Sequence, residues 1–246
     1  MITVKELCFD YPGKRALHNV SFTIPTGSIT ALVGPNGAGK TTLLGCLAGL
    51  RDFSSGEIII THNHIEYKVA EEPRKVHQLC GYLSDSFGLY DELTVKQCLR
   101  YMAWSRGCPE HLVENQIQIT AHKLHLEEYL NKKAGTLSRG LAQRLAIAQT
   151  IIQEPKILFL DEPASGLDPQ ARYELSQLLL ALQKHGLTII VSSHILSELE
   201  DYCTHMLVLD KGHILGHCEI TPEHKLKDQN QKNMQALYLE LINQAL

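Results

Sequence analysis

The stretch GPNGAGKTT, residues 34–42, restricts the possible folds of this chain more than any other, because it sits between the apolar run ITALV and the helix-like LLGCLAGL. It fits G-x-x-x-x-G-K-[ST] at Gly34, Gly39, Lys40 and Thr41, with a strand expected before it and a helix after it. Glycines at this spacing let a loop curl until successive backbone N–H groups point inward, and the helix that follows adds the partial positive charge of its N-terminus. Such a loop suits phosphate oxygens. The expected nucleotide-binding set is Gly34, Asn36, Gly37, Ala38, Gly39, Lys40, Thr41 and Thr42, with Lys40 reaching the outer phosphates and the Thr41 hydroxyl offered to Mg²⁺.

The rest of the composition narrows the class. A chain of 246 residues with 44% hydrophobic content can bury a substantial core as one large domain or two small ones. The 23 basic and 27 acidic residues are nearly balanced, so no broad cationic surface supports binding to nucleic acid or anionic lipid. Seven cysteines are scattered and never form C-x-x-C, which indicates neither a zinc site nor a disulfide framework and suits a reducing compartment. The N-terminal MITVKELCFDYPGKR lacks the apolar core of a signal peptide, and no segment approaches the roughly 20 apolar residues needed to cross a bilayer. The expectation is a chain that does not itself span a membrane.

Along the chain, ITVKELCF, ALHNVSFTI, SITALVG and GEIIIT read as strands separated by turn signals, and KTTLLGCLAGL as a helix. The middle changes character. Val95, Cys98, Leu99 and Met102 fall at helical spacing, Pro109 stands where another helix would begin, and a helical insert is expected over about 90–153. KILFLDE, PQARYELSQLLLALQKHG, TIIVSSH, ILSELEDYC and HMLVLDKGHIL then alternate as strand and helix, with Leu175, Leu178, Leu179 and Leu182 forming an apolar stripe. Short, nearly all-apolar strands between amphipathic helices predict a parallel sheet covered on both faces. After about residue 220 the polar EHKLKDQNQKN leads into MQALYLELINQAL, read as a surface helix.

A phosphate-binding loop that hydrolyses needs carboxylates for metal and water, and ILFLDEP ends an apolar strand in Asp161 and Glu162. Asp161 is expected to bind Mg²⁺, directly or through water, and Glu162 to orient or deprotonate the attacking water. His194 closes the strand TIIVSSH at the edge where neighbouring parallel strands deliver their loops, which places it either at the phosphates or in an ordinary structural role. His62 and His64 are spaced like a ligand pair on a strand, but no further ligand cluster accompanies them, so they read as exposed polar positions.

With these motifs assembled, the chain resembles an ATP-binding subunit of the ABC transporter family. Beside GPNGAGKT, ILFLDEP and SSH stand SGLD at 165–168, similar to the family's D-loop, and LSRGLAQRLAIAQTI at 137–151, similar to its L-S-G-G-Q signature and helix. The resemblance implies an α/β fold with a P-loop nucleotide core, an N-terminal antiparallel β subdomain and an inserted helical subdomain. The implied divisions are an ATPase domain at 1–220, with core 1–84 and 154–220 around a helical subdomain 85–153, and a helical tail at 221–246. It also implies ATP and Mg²⁺ as ligands and a head-to-tail dimer, homomeric or heteromeric. In that dimer Ser138 and Gly140 cap the γ-phosphate bound to the opposite subunit. Tyr11, in FDYPGKRAL, aligns with the family's adenine-stacking aromatic; on the residue alone, a packed tyrosine is the equal alternative.

Two departures stand out. Arg139 replaces the first signature glycine and Leu141 the glutamine. Asp85 stands where the family carries a glutamine that touches Mg²⁺ and water; a carboxylate there either ligates the metal or hinges the helical insert. GLYDELTV and PASGLDPQAR resemble exporters whose membrane permease is a separate chain, which implies a transport ATPase on the cytoplasmic face of a membrane, with residues around 84–93 passing motion to the permease. The alternatives are a soluble ABC-type machine on nucleic acid or ribosomes, which would call for two nucleotide domains or a basic face, and an ATP-binding regulator with weak hydrolysis. A GTPase reading fails because NKKA at 131–134 lacks the acid of N-K-x-D.

Overall fold

The structure, a computed structural model, describes residues 1–220 and 234–245. The chain opens with β1 (Ile2–Tyr11) and β2 (Lys14–Ile24), continues through β3 (Ile29–Val33) and α1 (Lys40–Leu47), and returns as β4 (Ser55–His62) and β5 (Ile65–Lys68). A short α2 (Pro73–Leu79) and β6 (Cys80–Leu83) lead to three helices, α3 (Val95–Ser105), α4 (Glu110–Lys123) and α5 (Arg139–Ile151). Then β7 (Ile157–Asp161), α6 (Pro169–Lys184), β8 (Thr188–Ser193), the hairpin β9 (His205–Asp210) and β10 (His213–Glu219), and α7 (Met234–Ala245) complete the described chain.

Two sheets form. An antiparallel sheet runs β2-β1-β4-β5, and a six-stranded sheet runs β10-β9-β3-β8-β7-β6, parallel except for β10. The central strands β3, β7, β8 and β9 of the second sheet are nearly continuous apolar runs because both faces are covered, and successive side chains point to opposite sides. Leu158, Leu160, Ile189 and Val191 enter the cluster under the helices α3–α6, whereas Ile157, Phe159 and Ile190 enter the cluster with α1 and the antiparallel sheet. Fully burying each such side chain contributes about 1.5–3 kcal/mol.

The insert holds together by the same rule. Val95, Cys98 and Leu99 are buried against Val113 and Ile117, and α3 begins with a capping box in which Thr94 and Gln97 each accept the other's backbone N–H. On α6, Leu175, Leu178, Leu179 and Leu182 are all buried. No helix among the described residues is long and apolar enough to cross a membrane.

Register places the site. Val33 pairs with Ser193 and Asp161 with Ser192, so β3, β7 and β8 end side by side and their loops leave one edge of the sheet.

Four readings change. ILSELEDYC is not a helix: only Leu196–Glu198 form a 3-10 turn, because the Ser193 hydroxyl takes the Ile195 N–H and Leu199, Tyr202 and Cys203 turn inward. HMLVLDKGHIL is a hairpin, turned by Lys211 and Gly212 at positive φ. His62 and His64 do not share a strand; Asn63 and His64 form a left-handed turn between β4 and β5, His62 is half-buried, and no metal-type cluster occurs among the described residues. The helix α7 is more than a surface helix: Met234 is buried and Leu241 occupies the space over Gly216, whose added Cβ would lie 2.5 Å from it. EHKLKDQNQKN lies outside the described residues.

Candidate nucleotide site

The loop between β3 and α1 is wedged against its neighbours. A Cβ on Gly34 would lie 2.0 Å from the Leu209 carbonyl oxygen, and the Gly212 N–H donates to the Ala38 carbonyl at 2.9 Å, so the β9–β10 hairpin clamps the loop from one side. Gly37 and Gly39 take φ of 81° and 109°, values that side chains rarely adopt. Helix α1 has no side-chain cap, which leaves its first N–H groups available to an anion.

A cleft of about 570 Å³ opens beside this loop, lined by Asn36, Gly37, Gly39, Lys40, Thr41 and Thr42, by Tyr11, and by Asp85 and Glu162. Lys14, Arg15, His18 and Lys211 share its wall; Lys14 and Lys211 bring positive charge to it, while Arg15 is paired with Asp10. Tyr11 is 39% exposed, with its hydroxyl 3.1 Å from Thr42 Oγ1 and accepting from Arg51 Nη1 at 3.0 Å.

Lys40 is buried at the base of the cleft. Its ammonium donates to the Gly34 and Pro35 carbonyls at 2.8 and 3.4 Å and lies 3.3 Å from Glu162 Oε1. The other carboxylate oxygen of Glu162 is 2.9 Å from His194 Nδ1; since a carboxylate only accepts, the shared proton sits on Nδ1. Glu162 holds this place at φ 47°, a strained value for a non-glycine residue, and its N–H donates to Ser192 Oγ.

Asp161 is 1% exposed, and the Ser192 hydroxyl donates to its Oδ1 at 2.5 Å while Oδ2 has no partner. A buried, unpaired carboxylate oxygen is costly unless something electropositive meets it. Among the described residues no three His, Cys, Asp or Glu gather as a metal cluster, so the protein supplies only part of a ligand shell. That fits Mg²⁺, which is held by one or two carboxylates together with substrate phosphates and water. Thr41, Asp161 and the exposed Asp85 are the candidate donors. Burial first, and the Asp161 charge second, push the nearby Tyr82 phenol up to about 12, so it stays a neutral hydroxyl.

Ser138 and Gly140 do not line the cleft. Ser138 caps α5 by accepting from Leu141 N at 3.4 Å, and both it and Arg139 are exposed. Ser192, Arg51 and Lys211 were not singled out from the sequence; the serine doublet before His194 was the visible signal for the first, and nothing local marked the other two.

The sequence pattern of the family described as ABC transporter matches residues 17–165. The Bacillus subtilis (strain 168) ABC transporter ATP-binding protein YxlF is 34% identical over 234 residues, covering 95% of this chain and 75% of its own length. NatA, another ABC transporter ATP-binding protein of that organism, is 31% identical over 220 residues, 87% of this chain and 88% of NatA. A solved structure titled as an ATP binding subunit of an ABC transporter superposes with a TM-score of 0.81 at 29% identity, covering 98% of this chain and 99% of that one. Loop, carboxylates and kinship agree, and the chain belongs to the ABC transporter family as an ATP-binding, ATP-hydrolysing subunit.

Proposed function

We propose that this chain hydrolyses ATP with Mg²⁺ in a head-to-tail dimer and thereby drives export through a separate membrane permease, working on the cytoplasmic face of the membrane. The observation that carries the dimer is the division of the site: the cleft gathers Lys40, Glu162 and the loop, while the exposed Ser138 and the half-buried Gly140 at the start of α5 lie outside it. A helix N-terminus with that exposure suits the γ-phosphate held by a second copy.

Within one cleft the backbone N–H groups of residues 36–42 bind the phosphates and Lys40 turns from the Gly34 and Pro35 carbonyls to the outer phosphate oxygens. Tyr11, in the wall of the same cleft, offers its ring to the adenine. Thr41, Asp161 and Asp85 are the residues that would hold Mg²⁺, which when bound would neutralise phosphate charge. Glu162 orients water and takes its proton, and His194, donating from Nδ1, fixes the carboxylate that receives it.

The permease reading is supported by exposed aromatics on and beside the helical insert: Tyr90, Tyr101 and Trp104 are each about half exposed, and the first two stack edge to face at 5.5 Å. The direction rests on the likeness of GLYDELTV and PASGLDPQAR to exporters. The test is Glu162→Gln, an amide that can orient water without accepting its proton. ATP binding should persist, turnover should fall about 10²–10⁴-fold, and the variant with ATP and Mg²⁺ should elute as a dimer in gel filtration. A monomer that binds ATP but never dimerises would overturn the shared-site reading.

A further inference from the structure

Arg139 is the first residue of α5, where a cation is disfavoured by the positive end of the helix dipole. Its side chain nevertheless folds back across the gap between the helical insert and the nucleotide core. Nη2 donates to the Ser165 carbonyl at 2.8 Å. The guanidinium also fills the space above Gly166: a Cβ there would lie 2.3 Å from Arg139 Cζ and 2.4 Å from Nη2. Gly166 has φ 67° as well, so a side chain at that position would strain the backbone and would have to displace the arginine from its contact.

The contacted turn is the one that carries Glu162. The Ser165 N–H donates back to the Glu162 carbonyl at 3.1 Å and the Leu167 N–H to Ala164 at 3.2 Å, closing residues 162–167 into a compact unit that ends in the Asp168 cap of α6. One continuous path therefore runs from Ser138 and the start of α5, through Arg139, to the backbone of Ser165 and on to Glu162. Nearby, Gly140 lies close against Ala171 and Arg144 pairs with Glu174, so α5 and α6 are held together along the same seam.

We infer that Arg139 is a positioning residue for hydrolysis: it ties the N-terminus of α5 to the Glu162–Leu167 turn, so that a shift of the helical insert is passed to the catalytic carboxylate of the same chain. This rests on the proposed role of Glu162. Because the guanidinium is engaged with the protein's own backbone, the inference separates Arg139 from a phosphate ligand. Its loss should impair the chemical step and leave nucleotide affinity alone.

The test uses the full chain with Mg²⁺ and ATP. Arg139→Ala should lower kcat about tenfold, the order expected for one charge-assisted hydrogen bond, with KM for ATP within about twofold and an unchanged thermal midpoint. Arg139→Lys, which keeps the charge and one donor, should recover part of that loss. Hydrogen exchange should accelerate at the amides of Ser165 and Leu167 and not at residues 34–42. Gly166→Ala should be severe with Arg139 present and milder in the Arg139→Gly background, which removes the collision and leaves only the φ strain. Wild-type kcat in Arg139→Ala, a loss expressed in KM, or strictly additive effects of the two substitutions would overturn the inference. A wild-type chain that binds no ATP would instead strike at the proposed function.

Discussion

The two sides of the candidate site are built by opposite rules. On the core side, Lys40 and Asp161 are buried, Glu162 nearly so, and each has a partner in hydrogen-bonding or ion-pair range. On the insert side, Ser138 and Asp85 are exposed, and the cap Ser138 provides is a long one. Buried charge needs neighbours that fix it, so the core side is organised before any ligand meets it. Exposed groups cost little to leave solvated; of the two, Asp85 still lines the same cleft as Lys40 and Glu162, whereas Ser138 lies outside it. On the proposed dimer reading, the difference separates what one copy does by itself, bind, from what a second copy would complete.

Substitutions can press on that contrast, beginning with the largest effect. Lys40→Ala removes the only lysine in the base of the phosphate loop, and ATP affinity measured by calorimetry should fall by at least about 100-fold while the fold survives. Unchanged affinity would dissolve the distinction. Ser138→Ala belongs to the other side: it should leave ATP affinity of the single copy intact, cost about 0.5–2 kcal/mol of stability as a lost cap, and reduce hydrolysis by about tenfold. A drop in binding by the isolated copy equal to that of Lys40→Ala would mean that the two sides are one. The smallest effect is assigned to Asp85. Asp85→Ala should raise the Mg²⁺ concentration for half-maximal hydrolysis about two- to fivefold, whereas Asp85→Gln should titrate like wild type; superimposable curves for all three would leave Asp85 a mechanical role only.

Legibility in the sequence followed the same division. The loop at 34–42 could be read because its glycines answer a local backbone demand, and Asp161 and Glu162 because acids at the end of ILFL contradict their surroundings. Strands with continuous apolar runs were also plain, since burial on both faces is written into every residue. What escaped detection depended on partners distant in sequence. Arg139 meets Ser165 across 26 positions and Arg51 meets Tyr11 across 40, and no local pattern announces either. ILSELEDYC carries helix-forming residues and predicts a longer helix, whereas the chain forms only the 3-10 turn at Leu196–Glu198 because the buried Leu199, Tyr202 and Cys203 decide the path. The hairpin turn at Lys211–Gly212 was passed over although lysine-glycine between two apolar runs was visible, because the second strand, HILGHCE, is only half apolar.

Glu162 is shared by two nitrogens, Lys40 on one oxygen and His194 on the other. If phosphate draws the lysine away, the carboxylate is not left without a partner, since the imidazole keeps one oxygen engaged while the other, released by the lysine, faces the cleft. With the roles proposed for Lys40 and Glu162, substrate arrival and release of the base would be a single event: the cation that meets the phosphate is the one that had been restraining the proton acceptor.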